Sequence, residues 1–179
     1  MDKYYSVDIA GLKRDLKLFE VNDNLSIAAF ILFGDTEVTV AASKALLEKA
    51  PEFDYIITPE AKSIPLAYEM SRQSGKPYIV VRKGTKVYMG NPISIEVQSI
   101  TTKAKQCLYL GEDEANLIKG KRVLLVDDVI STGESLKSLR SLIDKTGAKE
   151  AATCAVLAEG DAADRTDIIY LNKIPLFFK

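Results

Sequence analysis

Residues 122–136, RVLLVDDVISTGESL, set the tightest limit on what this chain can build. Residues 123–126 form an unbroken apolar run, which suits a strand buried on both faces of a covered sheet. The run ends on two carboxylates, Asp127 and Asp128. Ser131, Thr132, Gly133, Glu134 and Ser135 follow. The spacing then predicts a helix over 134–146, with Leu136, Leu139, Leu142 and Ile143 on one face and Gly147 as its stop. A loop that leaves a strand and enters a helix points several backbone N–H groups at one spot, and the helix dipole adds positive potential there. Three hydroxyls and a glycine that lets the loop close tightly make this a cradle for a phosphate. On the loop alone, an ordinary helix cap by Ser131 or Thr132 explains the residues equally well. The two acids shift the balance. Consecutive strand residues face opposite sides, so Asp127 and Asp128 should not duplicate each other. Beside a phosphate, such a pair can accept hydrogen bonds from sugar hydroxyls or hold Mg²⁺, directly or through water.

The same pattern continues along the chain. Short apolar runs at 54–58, 77–81 and 151–158 are predicted strands, as are the shorter segments 93–97, 106–110 and 168–171. A helix is predicted over 65–74, with Gly75 as its stop. Strands without clean alternation, separated by helices, predict an α/β fold with a mainly parallel sheet covered on both faces. Such sheets bind ligands beyond the carboxyl ends of their strands, where the acids and the hydroxyl loop fall. GEDEANLIKGK (111–121) is predicted to be a solvated turn region. Residues 1–45 include the apolar LSIAAFILFGD and are expected to cover the sheet and help to shape a pocket. The segment VTVAASKALLEKA has a helical pattern. The whole is expected to be one domain, 1–179, with a core over about 46–160.

Several chemistries are excluded or disfavoured by composition. The chain has no histidine, so Ser-His-Asp and Cys-His catalysis and His-ligated zinc are ruled out. The net charge of −1 gives no basic excess for a broad nucleic-acid surface. Cys107 and Cys154 lie in apolar segments and are expected to be buried small hydrophobes. No apolar run is long enough to span a membrane, and the first twenty residues are too polar for a signal peptide, so a cytosolic protein is expected. Neither G-x-G-x-x-G nor G-x-x-x-x-G-K-[ST] is present.

V-L-L-V-D-D-V-I-S-T-G-E-S resembles the phosphoribosyl-pyrophosphate (PRPP) signature of type I phosphoribosyltransferases. The resemblance implies that Asp127 and Asp128 contact the ribose hydroxyls, with Mg²⁺ carried on PRPP, and that residues 131–135 hold the 5′-phosphate. It also implies a pyrophosphate loop after the first core strand, where Glu60-Ala61-Lys62-Ser63 resembles the Glu-Ser-Arg-Gly of adenine phosphoribosyltransferases. Lysine for arginine keeps the charge but loses two-pronged geometry. AKSIPLAYE also resembles the matching loop of the bacterial purine repressor. Arg82, Lys83 and Lys86 look like the basic loop that neutralises departing pyrophosphate. Residues 86–105 would be the flexible hood, and SITTKAKQ (99–106) is similar to xanthine phosphoribosyltransferase. Thr101 and Thr102 stand where adenine enzymes tend to place a Glu, and Glu96 is expected on a solvated face.

Val129 is the expected apolar wall for the base, while Phe33 is expected in the core. The resemblance implies a purine phosphoribosyltransferase, cytoplasmic and homodimeric. The oxopurine enzymes often use a lysine near the base. AEGDAADR (158–165) offers none, which favours adenine over xanthine or hypoxanthine/guanine. The rival is a non-catalytic PRPP-sensing regulator like the repressor. A near-neutral charge and the lack of a visible N-terminal DNA-binding module count against it.

Overall fold

The structure, a computed structural model, describes residues 3–97 and 106–179. The chain opens with strands β1 (Tyr4–Ile9), β2 (Leu12–Asn22) and β3 (Leu25–Ala28), followed by helix α1 (Thr36–Leu47). Then come β4 (Tyr55–Pro59), α2 (Ile64–Ser74), β5 (Tyr78–Val81), β6 (Ile93–Val97) and β7 (Gln106–Leu110). The last part is α3 (Glu112–Ile118), β8 (Arg122–Ile130), α4 (Glu134–Thr146), β9 (Lys149–Glu159), β10 (Ile169–Ile174) and β11 (Phe177–Phe178).

The central sheet has the order β10-β9-β8-β4-β5, and every neighbouring pair is parallel. Its strands are apolar on both faces because both faces are covered. Ile56, Leu124, Val126, Cys154 and Val156 pack on the side of α1 and α2. Ile57, Val123, Leu125 and Ala155 pack on the side of α3 and α4. The N-terminal strands form an antiparallel sheet, β1-β2-β3-β11, over the α1/α2 side. The β6-β7 hairpin lies on the other. α/β architecture with a parallel sheet is therefore what the sequence predicted.

Some expectations are corrected. Residues 111–121 are not a solvated turn. They contain α3, which buries Ala115 and Ile118 beneath a first turn of Glu112, Asp113 and Glu114. Acids in a helix's first turn meet its positive end, so a polar stretch can be helical. β8 runs through both aspartates to Ile130 instead of stopping at Val126. Phe33 is 55% exposed and is not core. Both cysteines are free, Cys154 buried and Cys107 half-buried, and burial pushes the Cys154 thiol up to about 12. Glu96 is exposed, as expected. Thr101 and Thr102 lie outside the described residues. Among the described residues no helix is long and apolar enough to cross a membrane.

The packing gives a direct stability test. Leu142 of α4 is fully buried against the sheet. Leu142→Ala is expected to cost about 2–5 kcal/mol, through lost burial and the cavity left behind. Urea unfolding that shows an unchanged midpoint would contradict this packing.

Candidate functional site

The site begins with a split in the sheet. β8 pairs with β9 from Arg122 to Ile130, but with β4 only from Val123 to Leu125. Beyond Leu125 the two strands part, and Thr58 Oγ1 donates to the Val126 carbonyl at 2.9 Å across the opening. β5 lies on one side of β4, and β8, β9 and β10 lie on the other. The split therefore sits where the strand order reverses, which is where parallel sheets leave a crevice for a ligand.

The crevice has a volume of about 370 Å³. The end of β4 and the loop after it supply Pro59, Glu60, Ala61, Lys62 and Ser63 to its wall, and β8 supplies Asp127, Asp128 and Val129. Lys83, Leu108 and Ser135 complete it. An adjoining cup of about 120 Å³ is formed by Ser131, Thr132, Gly133 and Ser135 with Asp127, Val129, Ile130 and Leu136. Asp127, Val129 and Ser135 border both spaces, so the two lie side by side.

Alternation along β8 separates the acids, as expected. Asp128 turns to the α2 side, where Lys62 Nζ stands 2.8 Å from its Oδ2. It is 3% exposed. Asp127 turns to the α4 side, borders the cup, and accepts the Asp128 backbone N–H at 2.9 Å. Burial, and then the negative charge of Asp128, pushes the Asp127 carboxyl up to about 8. A carboxyl raised on folding holds its proton more tightly in the folded state. The contribution of this carboxyl to stability is therefore greatest below the unfolded value, near 4, and is lost as pH rises through about 8. In metal-free buffer, the thermal midpoint is expected to fall from pH 5 to 9, above the range in which Asp54 and Asp167 titrate, and Asp127→Asn is expected to flatten that fall. A midpoint that rises from pH 5 to 9 would contradict this account of the site.

The start of α4 leaves its backbone donors uncapped. Its N-cap is Gly133, at φ 81°, and no side chain caps it. In α1, by contrast, Asp35 accepts the Val38 N–H at 3.1 Å. The first-turn N–H groups of α4 therefore remain available beside the cup. Ser131 and Thr132 are not helix caps; they line the cup wall. Glu134 is placed apart from the other residues of this loop. It borders a separate hollow on the outer side of the loop, with Lys137 and Arg165.

The loop after β4 is tied to the end of β5. Glu60 accepts the Lys83 N–H at 3.0 Å and lies 3.4 Å from Arg82 Nε. Ser63 Oγ donates to the Pro59 carbonyl at 3.1 Å, and the Glu60–Ala61 peptide is cis. Of the predicted basic loop, Lys83 reaches the crevice, while Arg82 is held by Glu60 and Lys86 is exposed away from it. Reasoning from sequence missed Glu60 as a clamp and Leu108 as a wall. Glu60 could have been found, since an acid beside Lys62 in a predicted anion loop needs a partner. Among the described residues no three His, Cys, Asp or Glu side chains cluster to hold a metal. The donor set, two adjacent carboxylates at the crevice, suits a Mg²⁺ that brings further oxygens with its substrate.

The phosphoribosyl transferase domain family matches residues 35–174. A hypoxanthine/guanine phosphoribosyltransferase of Methanococcus voltae is 32% identical over 134 residues, which is 75% of this chain and 68% of that one. One from Methanothrix thermoacetophila is 34% identical over 64% of this chain, and the match spans only 56% of that relative's length. In structure, the chain is similar to adenine phosphoribosyltransferases. The enzyme of Thermoanaerobacter pseudethanolicus gives a TM-score of 0.72 at 20% identity, covering 89% of this chain and 95% of that one. The Saccharomyces cerevisiae enzyme gives 0.70 at 20% identity, covering 87% and 93%.

Proposed function

Since this chain belongs to the phosphoribosyl transferase family, we propose that it joins a purine base to PRPP, giving a nucleoside 5′-monophosphate and pyrophosphate. The observation that carries the proposal is that the uncapped α4 cup adjoins the crevice that holds Asp127, Asp128 and Lys62. A ribose carrying a phosphate at one end and a pyrophosphate at the other needs such a pair of adjoining spaces.

In this reading the cup takes the 5′-phosphate, and the two aspartates take the ribose hydroxyls or waters of a PRPP-borne Mg²⁺. Lys62, Ser63 and the Ala61 backbone lie where pyrophosphate would sit, with Lys83 at the rim. The base's ring nitrogen forms a bond to C1 as the bond from C1 to the pyrophosphate oxygen breaks; pyrophosphate leaves with the electron pair, and the proton on that nitrogen is released to the departing pyrophosphate or to water. Bound Mg²⁺ would supply further positive charge for that leaving group. The protein's own share is placement and charge neutralisation. Lys62 pairs with Asp128 in the free site. It would exchange that partner for pyrophosphate as PRPP enters. Val129, between the two spaces, is the apolar wall for the base.

A 6-oxopurine, hypoxanthine or guanine, is the base we put first, because relatives above 30% identity carry that name. Adenine is the second reading, supported by the lack of a lysine in residues 158–165. A cytoplasmic homodimer with one domain per chain accompanies both. The test is incubation with PRPP, Mg²⁺ and each of hypoxanthine, guanine, xanthine and adenine. Pyrophosphate and nucleotide released in equal amounts from at least one base is the expected result. PRPP binding without turnover for any base would favour a PRPP sensor instead.

A further inference from the structure

Arg165 stands directly behind the loop that forms the phosphate cup. Its Nε and Nη2 donate to the Asp167 carboxylate at 2.9 and 2.7 Å. This two-pronged pairing fixes the guanidinium plane and leaves Nη1 facing Gly133. A Cβ placed on Gly133 would lie 2.6 Å from that nitrogen. Asp167 is itself held from α4. Arg140 Nη1 donates to its carboxylate at 2.6 Å and Arg140 Nη2 to its carbonyl at 3.2 Å. Arg140 in turn pairs with Glu150 at the start of β9. The pairing of Asp167 with both arginines holds its carboxyl down to about 2, so the network is intact at neutral pH.

Thr132 and Gly133 separate two spaces. On the inner side they border the phosphate cup, and on the outer side they border the hollow that contains Arg165. The loop thus stands between the guanidinium and the cup. Two arginines and two carboxylates make up the network, so its charges nearly cancel and little long-range attraction remains. What it supplies is position. We infer that Arg165 is a positioning residue for the 5′-phosphate loop, braced by Asp167 and Arg140 so that Gly133 keeps its left-handed turn and the α4 N–H groups stay aimed into the cup. This rests on the proposed PRPP reading of the site.

Calorimetric titration of ribose 5-phosphate and, separately, of pyrophosphate with Mg²⁺ tests it. Arg165→Ala is expected to weaken ribose 5-phosphate by about tenfold, the scale seen when a supporting residue behind a binding group is removed, and to leave pyrophosphate within about twofold. Asp167→Asn, which removes the brace but keeps the arginine, is expected to show the same split. Unchanged ribose 5-phosphate affinity in both variants would overturn the inference. So would equal weakening of both ligands, which would mean a general loss of the site. If the wild-type protein binds neither ligand, the PRPP reading itself fails, and the inference with it.

Discussion

Asp127→Asn and Asp128→Asn, made separately, are each expected to lower kcat/KM by about a thousandfold, or roughly 4 kcal/mol of transition-state stabilisation. The two changes keep shape and remove the carboxylate each residue can present to the ribose. Hydrogen bonds to a charged acceptor contribute about 1.5–3 kcal/mol each, and a carboxylate on a ribose diol makes two. Asp128→Asn has a second consequence, because Lys62 loses its charged partner 2.8 Å away. Its resting place over the crevice is then no longer fixed. Asp127→Asn is expected to leave the free protein as stable or more stable at pH 8, since it removes a carboxyl whose ionisation is opposed by burial and by Asp128. Loss of activity with retained or raised thermal midpoint is the signature of a site residue. Wild-type rates in both variants would remove the aspartates from the site.

Gly133→Ala is expected to raise KM for PRPP by about a hundredfold with a smaller effect on overall stability. Two independent constraints meet at this position. Its φ of 81° is left-handed, which costs an alanine about 1–2 kcal/mol. The added methyl would also meet Arg165 Nη1 at 2.6 Å. The two strains are relieved by moving the loop, and the loop carries the N–H groups of the cup. Steady-state kinetics at varied PRPP would show the effect, and an unchanged KM would mean that the cup does not hold the phosphate end.

Much of the site was legible because it is local. The apolar run, the two acids, the hydroxyls and the helix of β8 and α4 follow one another in sequence, so one stretch determines strand, cup and acids together. The opposite facing of Asp127 and Asp128 follows from strand alternation alone. The crevice was less legible. It exists because β4 stops pairing with β8 after Leu125, and that depends on strand order and register between segments far apart in the chain. Leu108 enters the wall through a hairpin on the other face of the sheet, which no nearby residue announces. The Arg165 contact with Gly133 was hidden for the same reason. α3 was missed for a different one: seven residues give its apolar face only Ala115 and Ile118 as buried positions, too short a period to stand out from an acidic turn.

The central claim is that the split between β4 and β8 and the cup at α4 form one PRPP site. Titrating Mg²⁺-PRPP into the wild-type protein and into the Asp127→Asn/Asp128→Asn double variant tests this most directly. One PRPP per site in the wild-type protein, with affinity at least about a hundredfold weaker in the variant, is the predicted result. Equal affinity in the two proteins, or no binding by the wild type, would contradict it.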